Sequence, residues 1–348
     1  MSIKISIAPR TLHFKQPAGT SRGVYTTRQS WFVTATDDAH PDIRGVGESA
    51  PLPDLSCDAT PNYEERLKEL CNMVEAKGSI DYDALRPYPS VLFGLETALL
   101  DLKRGGTGVL FDNSFARGEA GIPINGLVWM GNYDEMLQRL EEKMRAGFRC
   151  VKLKIGAIDF DRELDLVRHI RSAFTKEQIE LRVDANGGFT VDCALQRLEQ
   201  LAQYDIHSIE QPIRQHQWVE MAALCKATPI PIALDEELIG VNDKTEKEEL
   251  LDRIRPHYII LKPSLHGGMY GSREWIALAG KRGIGSWITS ALESNVGLNA
   301  IAQFAADVYG ESITMPQGLG TGQLFTDNIP MPLEIRGDKL WRTFKATK

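Results

Sequence analysis

The sequence predicts an α/β protein, a (β/α)8 barrel of the TIM type beside a smaller α+β domain, and three observations carry that prediction. The chain has 348 residues, more than one core usually spans, so a large domain with a companion is expected. Its N-terminal part reads as strands and then helices. From residue 122 onward a strand-then-helix rhythm recurs through eight segments.

The first domain, residues 1–115, begins with alternation at Ile3, Ile5 and Ile7 and a second strand in SWFVTAT (30–36), until GVGESAPLPDLS breaks the pattern. Two helices follow. PNYEERLKELCNMVEAK has helical apolar spacing, and PSVLFGLETALLDLKRGG ends in glycines. The barrel, residues 116–323, is expected to take its strands from IPINGLVW (122–129), CVKLKIG (150–156), IELRVDANG (179–187), IHSIEQP (206–212), IPIALDEEL (230–238), YIILKPS (258–264), GSWITSALES (285–294) and SITMPQGLG (312–320). A doubly wound open sheet can be built from such units too, but eight near-even repeats without a G-x-G-x-x-G turn favour closure. The last segment, 324–348, turns strand-like around Leu333–Ile335 and Leu340–Phe344 and is expected to return to the first domain.

Composition excludes several classes. A net charge of −7 without clustered Lys and Arg argues against nucleic acid as a partner. The five cysteines, Cys57, Cys71, Cys150, Cys193 and Cys225, are scattered, so neither a disulfide framework nor a zinc site is expected. No apolar run reaches the ~18 residues that span a bilayer, and the N-terminus lacks a signal-peptide core. A cytoplasmic protein acting on a small molecule is the expectation.

The charged residues fall at telling places. Lys152 and Lys154 lie in the second barrel strand, and Asp184, Glu210, Asp235 and Lys262 end strands three to six. From Lys154 the steps are 30, 26, 25 and 27 residues, one βα unit each, which predicts side chains emerging at one level of the barrel rim. That rim is where barrel enzymes keep catalytic groups. Three carboxylates brought together repel unless a cation sits among them, and an all-oxygen set suits Mg²⁺ before Mn²⁺. Each alone reads equally well as a loop charge or a helix cap. Two residues apart in a strand, Lys152 and Lys154 share one face, and a close pair of buried lysines is expected to lower the pKa of one member toward that of a general base. A salt bridge to one of the carboxylates is the other reading of Lys262.

Together, K-L-K at 152–154, D-A-N at Asp184–Asn186, E-Q-P at Glu210–Pro212, D-E at Asp235–Glu236 and K-P-S at Lys262–Ser264 resemble the enolase superfamily in its muconate-lactonizing subgroup. SALESNVGL (290–298) and QGLGTGQLF (317–325) resemble its o-succinylbenzoate synthases of menaquinone biosynthesis. The resemblance implies an α+β capping domain formed by the N-terminal segment and the C-terminal tail. It implies a hydro-lyase reaction, loss of water from 2-succinyl-6-hydroxy-2,4-cyclohexadiene-1-carboxylate. Asp184, Glu210 and Asp235 would hold Mg²⁺, Lys154 would take the α-proton and assist departure of the hydroxyl, Lys152 would keep Lys154 neutral and oriented, and Lys262 would face the enediolate with its charge. Asn186 and Glu236 would stand behind these groups.

Substrate-tail contacts are assigned to Thr289, Ser290, Gly318, Gly320 and Gly322, although a buried hydroxyl pair and a glycine turn read as well. PAGTSRGVY (17–25) reads as a lid or as a plain hairpin. His266 is given no role. Paired lysines also suit a racemase of N-succinylamino acids or a dipeptide epimerase, but the Asp-x-Asp of dipeptide epimerases is replaced by QGLGTGQ. Muconate cycloisomerisation has nothing specific in its favour. A non-catalytic binding barrel would be expected to lack one of the six charges, and none is missing.

Overall fold

The computed structural model describes residues 3–20, 23–129, 131–156, 158–310 and 313–343. Strands β1 (Ile3–Thr20), β2 (Gly23–Asp37) and β3 (His40–Ser49) form an antiparallel sheet in that order. Helices α1 (Tyr63–Lys77), α2 (Tyr82–Leu85) and α3 (Pro89–Lys103) follow. Proline at its first turn starts α3, where a missing N–H costs nothing. Its Val91, Leu92, Leu95 and Ala98 pack with Val33, Leu67 and Val74 into a core separate from that of the rest of the chain. The G-V-G of β3 permits that packing: a Cβ on Gly45 or Gly47 would collide with the α3 backbone at Ala98 or Gly94. The β1–β2 pairing continues to Thr20↔Gly23, so the 17–25 segment is a hairpin on both its arms, and Ser21 and Arg22 at its tip lie outside the described residues.

After β4 (Ile122–Pro123) the rhythm predicted from sequence is found. It runs β5 (Gly126–Val128), α4 (Tyr133–Arg145), β6 (Cys150–Lys154), α5 (Phe160–Ala173), β7 (Glu180–Asp184), α6 (Val191–Ala202), β8 (Ser208–Glu210) and α7 (Trp218–Ala227). It continues with β9 (Ile232–Leu234), α8 (Lys244–Ile254), β10 (Tyr258–Leu261), α9 (Gly268–Gly280), β11 (Gly285–Ile288) and α10 (Asn295–Tyr309). Strands β5 to β11 make one seven-stranded parallel, curled sheet in sequence order. Val151 and Leu153 are fully buried, as a strand covered by helices requires, so Lys152 and Lys154 occupy the other face.

Two expectations differ from the outcome. Among the described residues, 313–320 form no regular strand; Gln317 and Gly318 make isolated parallel bridges to Ile124 and Thr289. Pro316 has no N–H to donate and glycine weakens a ladder, which accounts for the lost regularity. In the C-terminal segment Phe325 bridges Phe14 and Thr326 donates to the His13 carbonyl, so this part does meet the first domain. Strands β12 (Leu333–Arg336) and β13 (Lys339–Arg342) instead form a sheet with β4. Phe344 and the residues after it lie outside the described part.

The N-terminal domain meets the second at the starts of two helices. Buried Glu48 accepts from the backbone N–H groups of Ser294 and Gly297, both at 2.9 Å, at the start of α10. Glu96 accepts from those of Met269 (2.6 Å) and Tyr270 (2.9 Å) at the start of α9. A carboxylate there satisfies N–H groups that have no partner within the helix. Among the described residues no helix is long and apolar enough to cross a membrane.

Candidate active site

Parallel pairing places the charged strand ends. Lys154 is opposite Asp184, Asp184 opposite Glu210, and Glu210 opposite Ala233, which is opposite Tyr258. Asp235 therefore stands two residues beyond the row that contains Glu210, and Lys262 four beyond it. Even sequence steps do not mean one register row, because strands in a curled sheet tilt and equal height is reached progressively later along each strand.

The lysines reach into the carboxylates. Lys152 Nζ bridges Asp184 Oδ2 (2.8 Å) and Glu210 Oε2, and Lys154 Nζ meets the same Asp184 oxygen at 2.9 Å and Asn186 Oδ1 at 2.5 Å. Lys262 Nζ contacts Asp235 Oδ2. Asn186 in turn donates to Glu236 Oε1 at 2.9 Å. Asn186 has φ 43°, a left-handed conformation that asparagine accepts more readily than most residues.

Charge balance explains the proton affinities. Burial alone would lower Lys152, yet the Asp184 and Glu210 carboxylates outweigh it and hold the ammonium above the ordinary lysine range. The expectation of a lowered lysine is thus not met at Lys152: the nearest charges are carboxylates, not another ammonium. Burial would raise Asp184, but Lys152 and Lys154 hold it below the usual carboxylate range. Glu210 lies well above that range, through burial and then the charge of Asp184. Lys262 overcomes the effect of burial on Asp235 and keeps it low, while Asp235 raises Lys262 against its own burial. Glu236 is pushed up to about 7 by burial and then by Asp235.

Among the described residues no three His, Cys, Asp or Glu side chains form a ready metal cluster. Asp184, Glu210 and Asp235 each face a lysine instead, as buried like charges require of some cation. Their chemistry still fits a hard divalent ion: the donors are all carboxylate oxygens, and Asp235 Oδ1 and Glu236 Oε2 are buried without a hydrogen-bond partner.

These groups open on a cavity of about 350 Å³, enough for a small organic acid. Lys152, Lys154, Asp184, Asn186, Glu210, Glu236 and Lys262 line it; Asp235 does not. Thr289, Ser290, Gly318 and Gly320 line it, with Thr289 Oγ1 donating to the Gly318 carbonyl (2.9 Å) and the Ser290 and Thr321 hydroxyls 2.6 Å apart. Gly322 does not line it: a Cβ there would press on Asn295 and Leu298 of α10, so this glycine serves packing. Sequence reading missed the wall formed by Trp129, Ala291 and Leu292 and the N-terminal domain's Gln16, Leu52 and Leu55. Apolar residues from distant segments carry no local signal. His266 is buried, accepts from the Lys262 backbone N–H at 2.8 Å, and is pulled down to about 3 by burial, so it sits there as neutral imidazole.

A family model described as Enolase C-terminal domain-like matches residues 135–337, and one described as MenC, N-terminal domain, matches 20–102. The chain is 47% identical to an o-succinylbenzoate synthase from Desulfotalea psychrophila, over 97% of this chain and 98% of that one. It resembles the crystal structure of MenC from the same organism with a TM-score of 0.82 and 43% identity, covering 98% of this chain and 100% of that one. A dipeptide epimerase from Enterococcus faecalis, complexed with Mg and a dipeptide, shares the fold at a TM-score of 0.83 and 18% identity, covering 99% and 98%.

Proposed function

We propose, because the chain belongs to the enolase superfamily and within it to the o-succinylbenzoate synthases, that it removes water from 2-succinyl-6-hydroxy-2,4-cyclohexadiene-1-carboxylate to give o-succinylbenzoate in menaquinone biosynthesis. One observation of geometry carries the reading. Lys154 and Lys262, on strands four apart in a curled sheet, both line one cavity, and each holds a buried carboxylate, Asp184 and Asp235. In this reading the sheet closes into a (β/α)8 barrel over residues 116–323, which the bridges of Gln317 and Gly318 to both edges support. Residues 1–115 make up the capping domain, which the chain around Leu324–Thr326 meets at β1, while β12 and β13 pair with β4.

Asp184, Glu210 and Asp235 are the groups that would hold Mg²⁺, which when bound supplies positive charge to the substrate's carboxylate. Lys154 takes the proton from the carbon beside that carboxylate. The enediolate that forms faces the Lys262 ammonium, whose charge stabilises it. Lys154 then returns its proton to the departing hydroxyl; water leaves and the ring becomes aromatic. Lys152, held protonated by Asp184 and Glu210, shares the Asp184 oxygen with Lys154 and so helps to orient the base. Thr289, Ser290, Gly318 and Gly320 are where the succinyl tail would lie.

Two lysines on facing strands also suit racemisation of an N-succinylamino acid, whereas QGLGTGQ at 317–323 has no carboxylate for a dipeptide's free amino group. Following ultraviolet absorbance of the cyclohexadiene substrate separates these readings. Aromatic product forming with Mg²⁺ and none with a chelator is the expected result; racemisation of N-succinylamino acids without any aromatic product would overturn it.

A further inference from the structure

The capping domain places a cation between the two walls of the cavity. Arg28, on β2, is 1% exposed. Its Nε donates to the Leu292 carbonyl at 3.2 Å and its Nη2 to that of Ala291 at 3.3 Å. Its Nη1 and Nη2 also donate to the carbonyls of Pro51 and Ala50. The guanidinium thus holds two carbonyls from each domain. Each pair belongs to a cavity wall: Ala50–Pro51 leads into Leu52, and Ala291 and Leu292 line the cavity themselves.

The second wall needs such a hold. Leu292 has φ 63°, a left-handed conformation that a branched side chain rarely adopts and that neighbours must enforce. Glu293, fully buried, accepts from the Ala291 N–H at 2.7 Å and from Ser264 Oγ at 2.5 Å, which fixes the turn from below. Lysine cannot replace this arrangement: its three donors radiate from one atom, whereas the planar guanidinium presents five in a fork. Burial weakens the hold of Arg28 on its proton, and the charges of Glu293 and Glu48 oppose that effect.

We propose that Arg28 is a positioning residue for substrate selection: by clamping Ala50–Pro51 to Ala291–Leu292 it sets the gap between the walls that receive the part of the substrate remote from the reacting carbon. This rests on the dehydration reading. The clamp touches no reacting atom, so its removal affects how the substrate is held more than how its proton is taken.

The test uses the full chain with saturating Mg²⁺ and compares wild type, Arg28→Lys, Arg28→Met, Leu292→Ala and Arg28→Lys/Leu292→Ala by steady-state kinetics. Arg28→Lys is expected to raise KM about tenfold and leave kcat within about threefold, since the lost contacts bind ground state and transition state alike. In the Leu292→Ala background the same change is expected to move KM less than about twofold, because the wall it positions has been cut away. Arg28→Lys that leaves KM unchanged, or raises it equally in both backgrounds, overturns the proposal; Arg28→Met serves to enlarge the effect where it folds, and Arg28→Lys carries the test where it does not. A wild type that makes no aromatic product would instead defeat the dehydration reading itself.

Discussion

Lys154 is oriented by two contacts from the neighbouring strand end, Asp184 at 2.9 Å and Asn186 at 2.5 Å, and Asn186 is itself anchored on Glu236. A base must stand within hydrogen-bond reach of one carbon–hydrogen bond, and displacements of about 1 Å can cost ~100-fold in rate. Asn186→Ala is therefore expected to lower kcat by about 10- to 100-fold with little change in the fold, read by steady-state kinetics beside circular dichroism. A rate equal to wild type would remove Asn186 from the positioning chain. The placing of the six charges was legible because they fall in or just past strands of a recognisable repeat: Lys152 inside β6, Lys154, Asp184 and Glu210 at strand ends, and Asp235 and Lys262 one residue beyond β9 and β10. Their height was not: Asp235 and Lys262 sit beyond the register row of Glu210, a consequence of strand tilt that sequence spacing does not contain. Nor did spacing reveal that carboxylates would raise Lys152.

At the scale of elements, the strand and helix pattern was readable wherever apolar periodicity was strong, as in β6 and α3, and failed where backbone chemistry intervened. Pro316, Gly318 and Gly320 interrupt the eighth segment. The contacts that dock one domain on the other were invisible for another reason: Glu96 reaches Met269 across 173 residues and Glu48 reaches Ser294 across 246. Burial raises Glu96 from 4.5 to about 8 despite its two backbone donors. The folded state thus holds this proton more tightly than the unfolded chain, so the contribution of Glu96 to stability is complete below about pH 4.5 and is lost as pH rises through about 8. Glu96→Gln, which cannot ionise, is expected to lose less stability than wild type between pH 5 and 9, measured as the difference in Tm at each pH. Parallel Tm curves would show that Glu96 does not carry this dependence.

The whole molecule joins a capping sheet with its own apolar core to a curled parallel sheet, and the cavity lies where they meet, with Leu52 and Leu55 from one part and the charged strand ends from the other. This division of labour explains why sequence alone reached the chemistry sooner than the pocket. Reactive charges repeat with the βα unit, whereas the walls come from segments brought together only by folding. In the proposed mechanism Asp184, Glu210, Asp235, Lys152 and Lys262 act through their charge, and Lys154 alone moves the proton. The most direct measurement is the dehydration rate of Lys154→Ala with saturating Mg²⁺, alongside calorimetric Mg²⁺ binding to the same variant. Loss of at least about 10³-fold in kcat with Mg²⁺ binding retained is the predicted result, whereas near-normal turnover would contradict the account.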